Sequence, residues 1–166
     1  MPNIDQDRAT SYHEAAHAVF TLKVCSGVVR YVEVDEGYCA TGLPGFDGRA
    51  DNWRRALYTL AGSFAEQLGV WGEIRPEEVE EVLEAAELEA GDGDEGDRFN
   101  LVALLGRIGA NSFEGLRDEY ETVVRDTESE VRRLWSDIEM VAAALKERRC
   151  LEAHELEELL EGGDNA

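Results

Sequence analysis

The chain has 166 residues, a formal net charge of −21, a hydrophobic fraction of 43% and a charged fraction of 32%. The length fits a single domain over residues 1–166 with a core of its own. The acidity argues against nucleic acid and anionic membrane as partners, because both need a basic surface, and no apolar run reaches the roughly 18–20 residues of a membrane span. The opening MPNIDQDRAT lacks the apolar segment of a secretory signal. Cys25, Cys39 and Cys150 are an odd set without metal-type spacing, so reduced thiols and a cytoplasmic location are expected.

Residues 8 to 23, RATSYHEAAHAVFTLK, predict a helix: alanine is abundant, and Ala16, Val19 and Phe20 recur at helical spacing. Ser26 and Gly27 stop it. VVRYVEV, residues 28 to 34, is β-branched and aromatic and predicts a strand. EGYCATGLPGFDGRAD then predicts a turn, a short second strand and a loop. Asp51 is the expected N-cap of a helix whose stripe is Trp53, Leu57, Leu60, Phe64 and Leu68, with Gly69 as its end. Pro76 suits the first turn of a third helix, PEEVEEVLEAAELEA, closed by Gly91. GDGDEGD, residues 91 to 97, is too acidic and glycine-rich for regular structure, and a helix starts near Asp97 with Phe99, Val102 and Leu105 on one side. Residues 113 to 149 read as one long helix, with Thr127 to Ser129 the weak point, and LEAHELEELLEG as a short final helix. The expected class is mainly α with a small β-hairpin or sheet.

The chemistry is concentrated in SYHEAAHAVF, residues 11 to 20. Residues four apart on a helix differ by about 40° in azimuth and about 6 Å in rise. His13 and His17 therefore share a face and can ligate one Zn2+ ion. Glu14, about 100° further round, flanks that position and can take a proton from a water that zinc has acidified. The pattern H-E-x-x-H demands three uncommon residues at fixed spacing. The plainer alternative is an amphipathic helix that carries two histidines. A catalytic zinc also needs a third protein ligand. His154, in the last helix, reads as exposed or capping, and the H-E-x-x-H-x-x-G-x-x-H continuation is absent, since Phe20 and Lys23 stand at its later positions. The third ligand should then be a carboxylate, which composition cannot choose.

SYHEAAHAVF resembles the H-E-A-G-H-A segment of the FtsH-type zinc peptidases, the protease domains of membrane-anchored AAA+ proteases. VVRYVEVDEGYCATG is similar to the hairpin that follows there, LAGSFAEQLG (residues 60 to 69) to the A-G-x-x-A-E segment, GDEGDRFNLVALL to the segment with the aspartate ligand, and the C-terminal stretch to the last helices. The likeness runs in order along nearly the whole chain, but only the zinc motif and A-G-x-x-A-E are specific. It implies an FtsH protease-domain-like zincin with His13, His17 and Asp97 as zinc ligands, Glu14 as general base and Glu66 as a partner of a ligating imidazole. Ala16 replaces the family's glycine, residues 75 to 90 look inserted, and Asp92 and Asp94 are the alternatives to Asp97. No ATPase module or membrane anchor is visible, so a standalone peptidase is expected. Its substrates would be peptides or unfolded proteins, bound along the sheet edge near residues 28 to 42. A homo-oligomer or a separate ATPase partner is compatible with that. The rival expectation is a non-catalytic zinc-containing binding module, in which a fourth carboxylate from GDGDEGD closes the metal.

Overall fold

The computed structural model describes residues 5–45, 48–92, 96–109 and 111–163. Seven helices and three strands follow in the order α1 (Gln6–Lys23), β1 (Val28–Glu33), β2 (Tyr38–Gly42), α2 (Arg49–Trp71), α3 (Val79–Asp92), α4 (Asp97–Ile108), α5 (Phe113–Arg133), α6 (Trp135–Arg148), β3 (Cys150–Glu152) and α7 (Ala153–Gly163) among the described residues. The protein is mainly helical with one antiparallel sheet of order β2-β1-β3. No helix among the described residues is long and apolar enough to cross a membrane. Cys25, Cys39 and Cys150 are free thiols.

α1 is the centre of the molecule. Its N-cap is Asp5, whose carboxylate accepts from the Arg8 N–H, satisfying a donor the helix itself cannot. Ala15, Ala16, Ala18, Val19 and Phe20 are wholly buried, because α2 and α6 pack on α1 and the sheet covers its remaining side. The Ala16 methyl is therefore accommodated in the core beside the histidines. Phe20 and Phe64 are among the largest fully buried side chains, each contributing about 1.5–3 kcal/mol by burial. Lys23 ties the end of α1 to Asp137 of α6 at 2.9 Å.

Several element ends differ from expectation. Asp51 does not cap α2; Gly48 does, and Asp51 lies in the first turn, where the helix dipole still favours a carboxylate. Gly69 does not end α2, which runs to Trp71 and closes on Gly72 in the left-handed conformation. Gly69 is there for packing: a Cβ would stand 2.3 Å from Cδ2 of Tyr12. Tyr12 then stacks on Trp135 at 5.3 Å between centroids, so this contact locks α1, α2 and α6 together. α3 starts at Val79 rather than at Pro76, with Glu81 accepting from the Glu78 N–H (2.9 Å), and it passes through Gly91 to Asp92.

Residues 113 to 149 are two helices, not one. Thr127 to Ser129 stay helical, with Thr127 bonded to the Val123 carbonyl at 2.7 Å. The break falls at buried Leu134, whose ψ of 9° leaves the helical region. It lets α5 pack on α2 and α6 turn onto α1. The sheet also gains β3, which the sequence hides at the start of the last helix. Tyr31, Val32 and Glu33 of β1 pair with Glu152, Leu151 and Cys150.

Candidate metal centre

His13 and His17 project from α1 toward α2, and Asp97 opens α4 beside them. One donor atom from each of the three lies within 4.8 Å of the others. The two Nε2 atoms are 3.1 Å apart, and Asp97 Oδ2 is 3.9 Å from His13 Nε2. This is the only group of three or more such donors among the described residues. Asp94 and the side chain of Asp92 lie outside the described residues, as does most of the segment expected to offer a fourth carboxylate. His154 is exposed on α7, away from the cluster.

Glu66, one turn beyond Gly62 on α2, meets His13 Nδ1 at 3.3 Å through Oε2. With His13 Nδ1–H donating to that carboxylate, His13 Nε2 is left as a lone pair facing His17 and Asp97. His17 is 6% exposed and packs its ring on Tyr58 at 4.5 Å. Its Nδ1 has no partner in hydrogen-bond geometry, although the Tyr58 backbone lies near enough to favour the protonated form slightly.

Gly62 gives the site a cradle that motif spacing does not disclose. A Cβ on Gly62 would sit 2.7 Å from Nε2 of both histidines and 2.8 Å from His13 Cε1. Both imidazoles thus occupy the space a side chain on α2 would need. The signal was present in the A-G-x-x-A-E segment, but only the helix crossing shows what the glycine faces. Gly62→Ala should displace the rings and weaken zinc binding by about tenfold or more, the scale on which disturbing an imidazole's orientation acts. Alanine is the better helix former by about 1 kcal/mol. A variant with a higher melting temperature and unchanged zinc affinity in a chelator competition would show that the cradle does not matter.

The electrostatics favour a cation. Burial, then the neighbouring His13, pulls the His17 pKa down to about 3, so its imidazole is neutral and keeps one nitrogen lone pair for a cation. Burial also pulls on His13, but the Glu66 hydrogen bond and the charges of Glu14, Asp97 and Glu66 outweigh it and raise its pKa. Burial pushes Glu14 up to about 7, with Asp97 adding to the rise and His13 opposing it. Asp97 is raised by desolvation and by Glu89, against His13 and Arg98, although its side chain remains 53% exposed at the cleft mouth. The neutral His17 imidazole, the His13 ring held by Glu66, the Asp97 carboxylate and the acid Glu14 surround the space, with Arg98 at the rim of the cleft near Asp97. Two imidazoles and one carboxylate are a donor set that suits zinc and other divalent transition metals.

Glu14 sits on the sheet side of the pair. A Cβ on Gly37, in the β1–β2 turn, would be 3.8 Å from its Oε1, and buried Cys39 of β2 lies close enough to feel its charge. On the other side a cleft of about 280 Å³ runs from His13, Glu66 and Asp97 past Ser63 and Gln67 to Tyr120. No family model and no curated protein matches the chain. Fold and geometry define a mainly helical protein with a His–His–Asp cluster able to hold a metal ion.

Proposed function

We propose that the protein is a zinc-dependent metallopeptidase of FtsH protease-domain-like, zincin type that hydrolyses peptides or unfolded polypeptides. The observation that carries this reading is the convergence of His13, His17 and Asp97 within 4.8 Å, with Glu14 next to the pair on the same helix. Gly62 leaves the room that the two rings need, and Glu66 holds one of them by its Nδ1.

His13, His17 and Asp97 would hold the zinc, which supplies Lewis acidity toward the scissile carbonyl and lowers the pKa of a water. Glu14 takes a proton from the water whose oxygen attacks the carbonyl carbon. It passes that proton to the amine nitrogen as the C–N bond breaks. In the metal-free chain burial raises its pKa to about 7, a value suited to a group that accepts and returns a proton near neutral pH. Glu66 keeps the His13 ring in one orientation through Nδ1.

β2 supports the expected binding mode. The sheet order makes β2 an edge strand, and among the described residues its outer side pairs with no other strand. Glu14 lies beside its first residues. An extended peptide added along β2 would bring its backbone past Glu14. Unfolded chains offer extended segments most readily, which makes them the substrates of this reading.

A non-catalytic zinc module remains the rival reading, and activity separates the two. The purified protein should cleave casein or another unstructured chain. A chelator should stop the cleavage, and about one equivalent of Zn2+ per chain should restore it. Tight zinc binding without hydrolysis across varied unfolded substrates would favour the module.

A further inference from the structure

α4 begins with an N-cap that has no side chain to cap with. Gly96 precedes Asp97, and its backbone accepts the first helical bond, from the Asn100 N–H at 3.0 Å. A capping side chain would ordinarily accept from the second or third N–H of the helix. Here the third, Phe99 N–H, donates to Glu89 Oε2 of α3 at 2.8 Å. A Cβ on Gly96 would stand 2.5 Å from Glu89 Cδ and 2.6 Å from Oε2. The carboxylate of one helix thus fills the place of the missing cap of another. Glycine at 96 is what admits it.

The arrangement is braced further. Arg98 faces Glu89 at 3.7 Å and holds Glu77 with two nitrogens, at 2.8 and 2.9 Å. Tyr120 bonds the Glu77 carbonyl at 2.6 Å. The first turn of α4 is therefore held by Glu89 of α3 and by Glu77 of the segment before α3, and Tyr120 of α5 in turn anchors Glu77. Asp97 is the first residue of that turn.

We propose that Glu89 is a positioning residue for Asp97: by capping α4 from α3 it holds the carboxylate where it meets His13 and His17. The proposal rests on the zinc-site reading above. Glu89 acts through the backbone, since as a charge it opposes the anionic form of Asp97.

The test measures Zn2+ affinity of the full chain by chelator competition, in about 1 M non-coordinating salt, where a Debye length of about 3 Å mutes the loss of a charge. Glu89→Ala should bind zinc about tenfold more weakly, and Glu89→Gln, which keeps the acceptor oxygen, should stay within about threefold of the parent. Gly96→Ala should match Glu89→Ala, because the new methyl displaces the carboxylate. The double variant should be no weaker than either single one, as expected for two ways of breaking one contact. Melting of the metal-free variants separates the roles: a cap that mattered only for folding would lower the melting temperature and leave zinc affinity unchanged. Unchanged affinity in Glu89→Ala and Gly96→Ala, with zinc lost in His13→Ala, overturns the positioning role and leaves the metal site standing. Equal loss in Glu89→Gln and Glu89→Ala also overturns it. Zinc retained in His13→Ala removes the site and this proposal together.

Discussion

His13→Ala and His17→Ala should each abolish stoichiometric zinc binding. Each removes one of three converging donors, and the remaining pair cannot hold the ion against a chelator. The loss should exceed about 100-fold, beyond the 10–100-fold typical of groups that only orient a ligand. Asp97→Asn should also weaken zinc strongly, since an amide lacks the anionic oxygen, yet leave the fold intact. Affinity in the parent protein should fall as the medium is acidified, because protons compete for the same nitrogens. Metal content after dialysis, measured together with circular dichroism, checks all three variants. Full zinc occupancy in the two alanine variants would remove the site. Retained zinc in Asp97→Asn, with loss in Asp92→Asn or Asp94→Asn, would move the third ligand into the acidic segment.

Glu14→Gln should separate binding from chemistry. The amide matches the carboxylate in size and keeps an acceptor oxygen, so packing against Gly37 and Cys39 survives. It cannot take a proton. Zinc should stay bound while hydrolysis of an unfolded substrate falls by about 100-fold or more, the usual weight of general acid–base catalysis. Loss of zinc in this variant would make Glu14 a ligand instead. Undiminished hydrolysis would place the activity at another site or in a contaminant.

The helix that carries the motif was legible because its evidence is local. Four residues of spacing decide that His13 and His17 share a face, and abundant alanine with no glycine or proline inside says that the segment is a helix. β1 was legible from its β-branched and aromatic residues, and β2 from the glycines and proline that punctuate the segment around it. The ends of elements were less so. Gly69 has the look of a stop but is a contact residue for Tyr12, and Gly72, three residues on, does the stopping. Leu134 continues the apolar spacing from Val131 to Ile138, so the expected weak point falls at Thr127 to Ser129 instead, and the break at Leu134 follows from the packing of α5 on α2 and α6 on α1. β3 is three residues long and borrows its pairing from β1.

The sequence by itself determined the mainly helical class, the imidazole pair and the acid beside it. Those follow from backbone period and near neighbours, which a linear pattern records. The tertiary structure decided that Asp97 meets that pair, that Glu66 reaches His13 Nδ1, that Gly62 is the floor under both rings and that Glu89 caps α4 from outside. The first three join residues far apart in the chain, and Glu89 meets Phe99, ten residues on, only because α3 folds back on α4. Whether they meet depends on how closely α1 and α2 cross and where α3 sets the start of α4, and an acidic chain offers too many carboxylates for composition to select the ones that do.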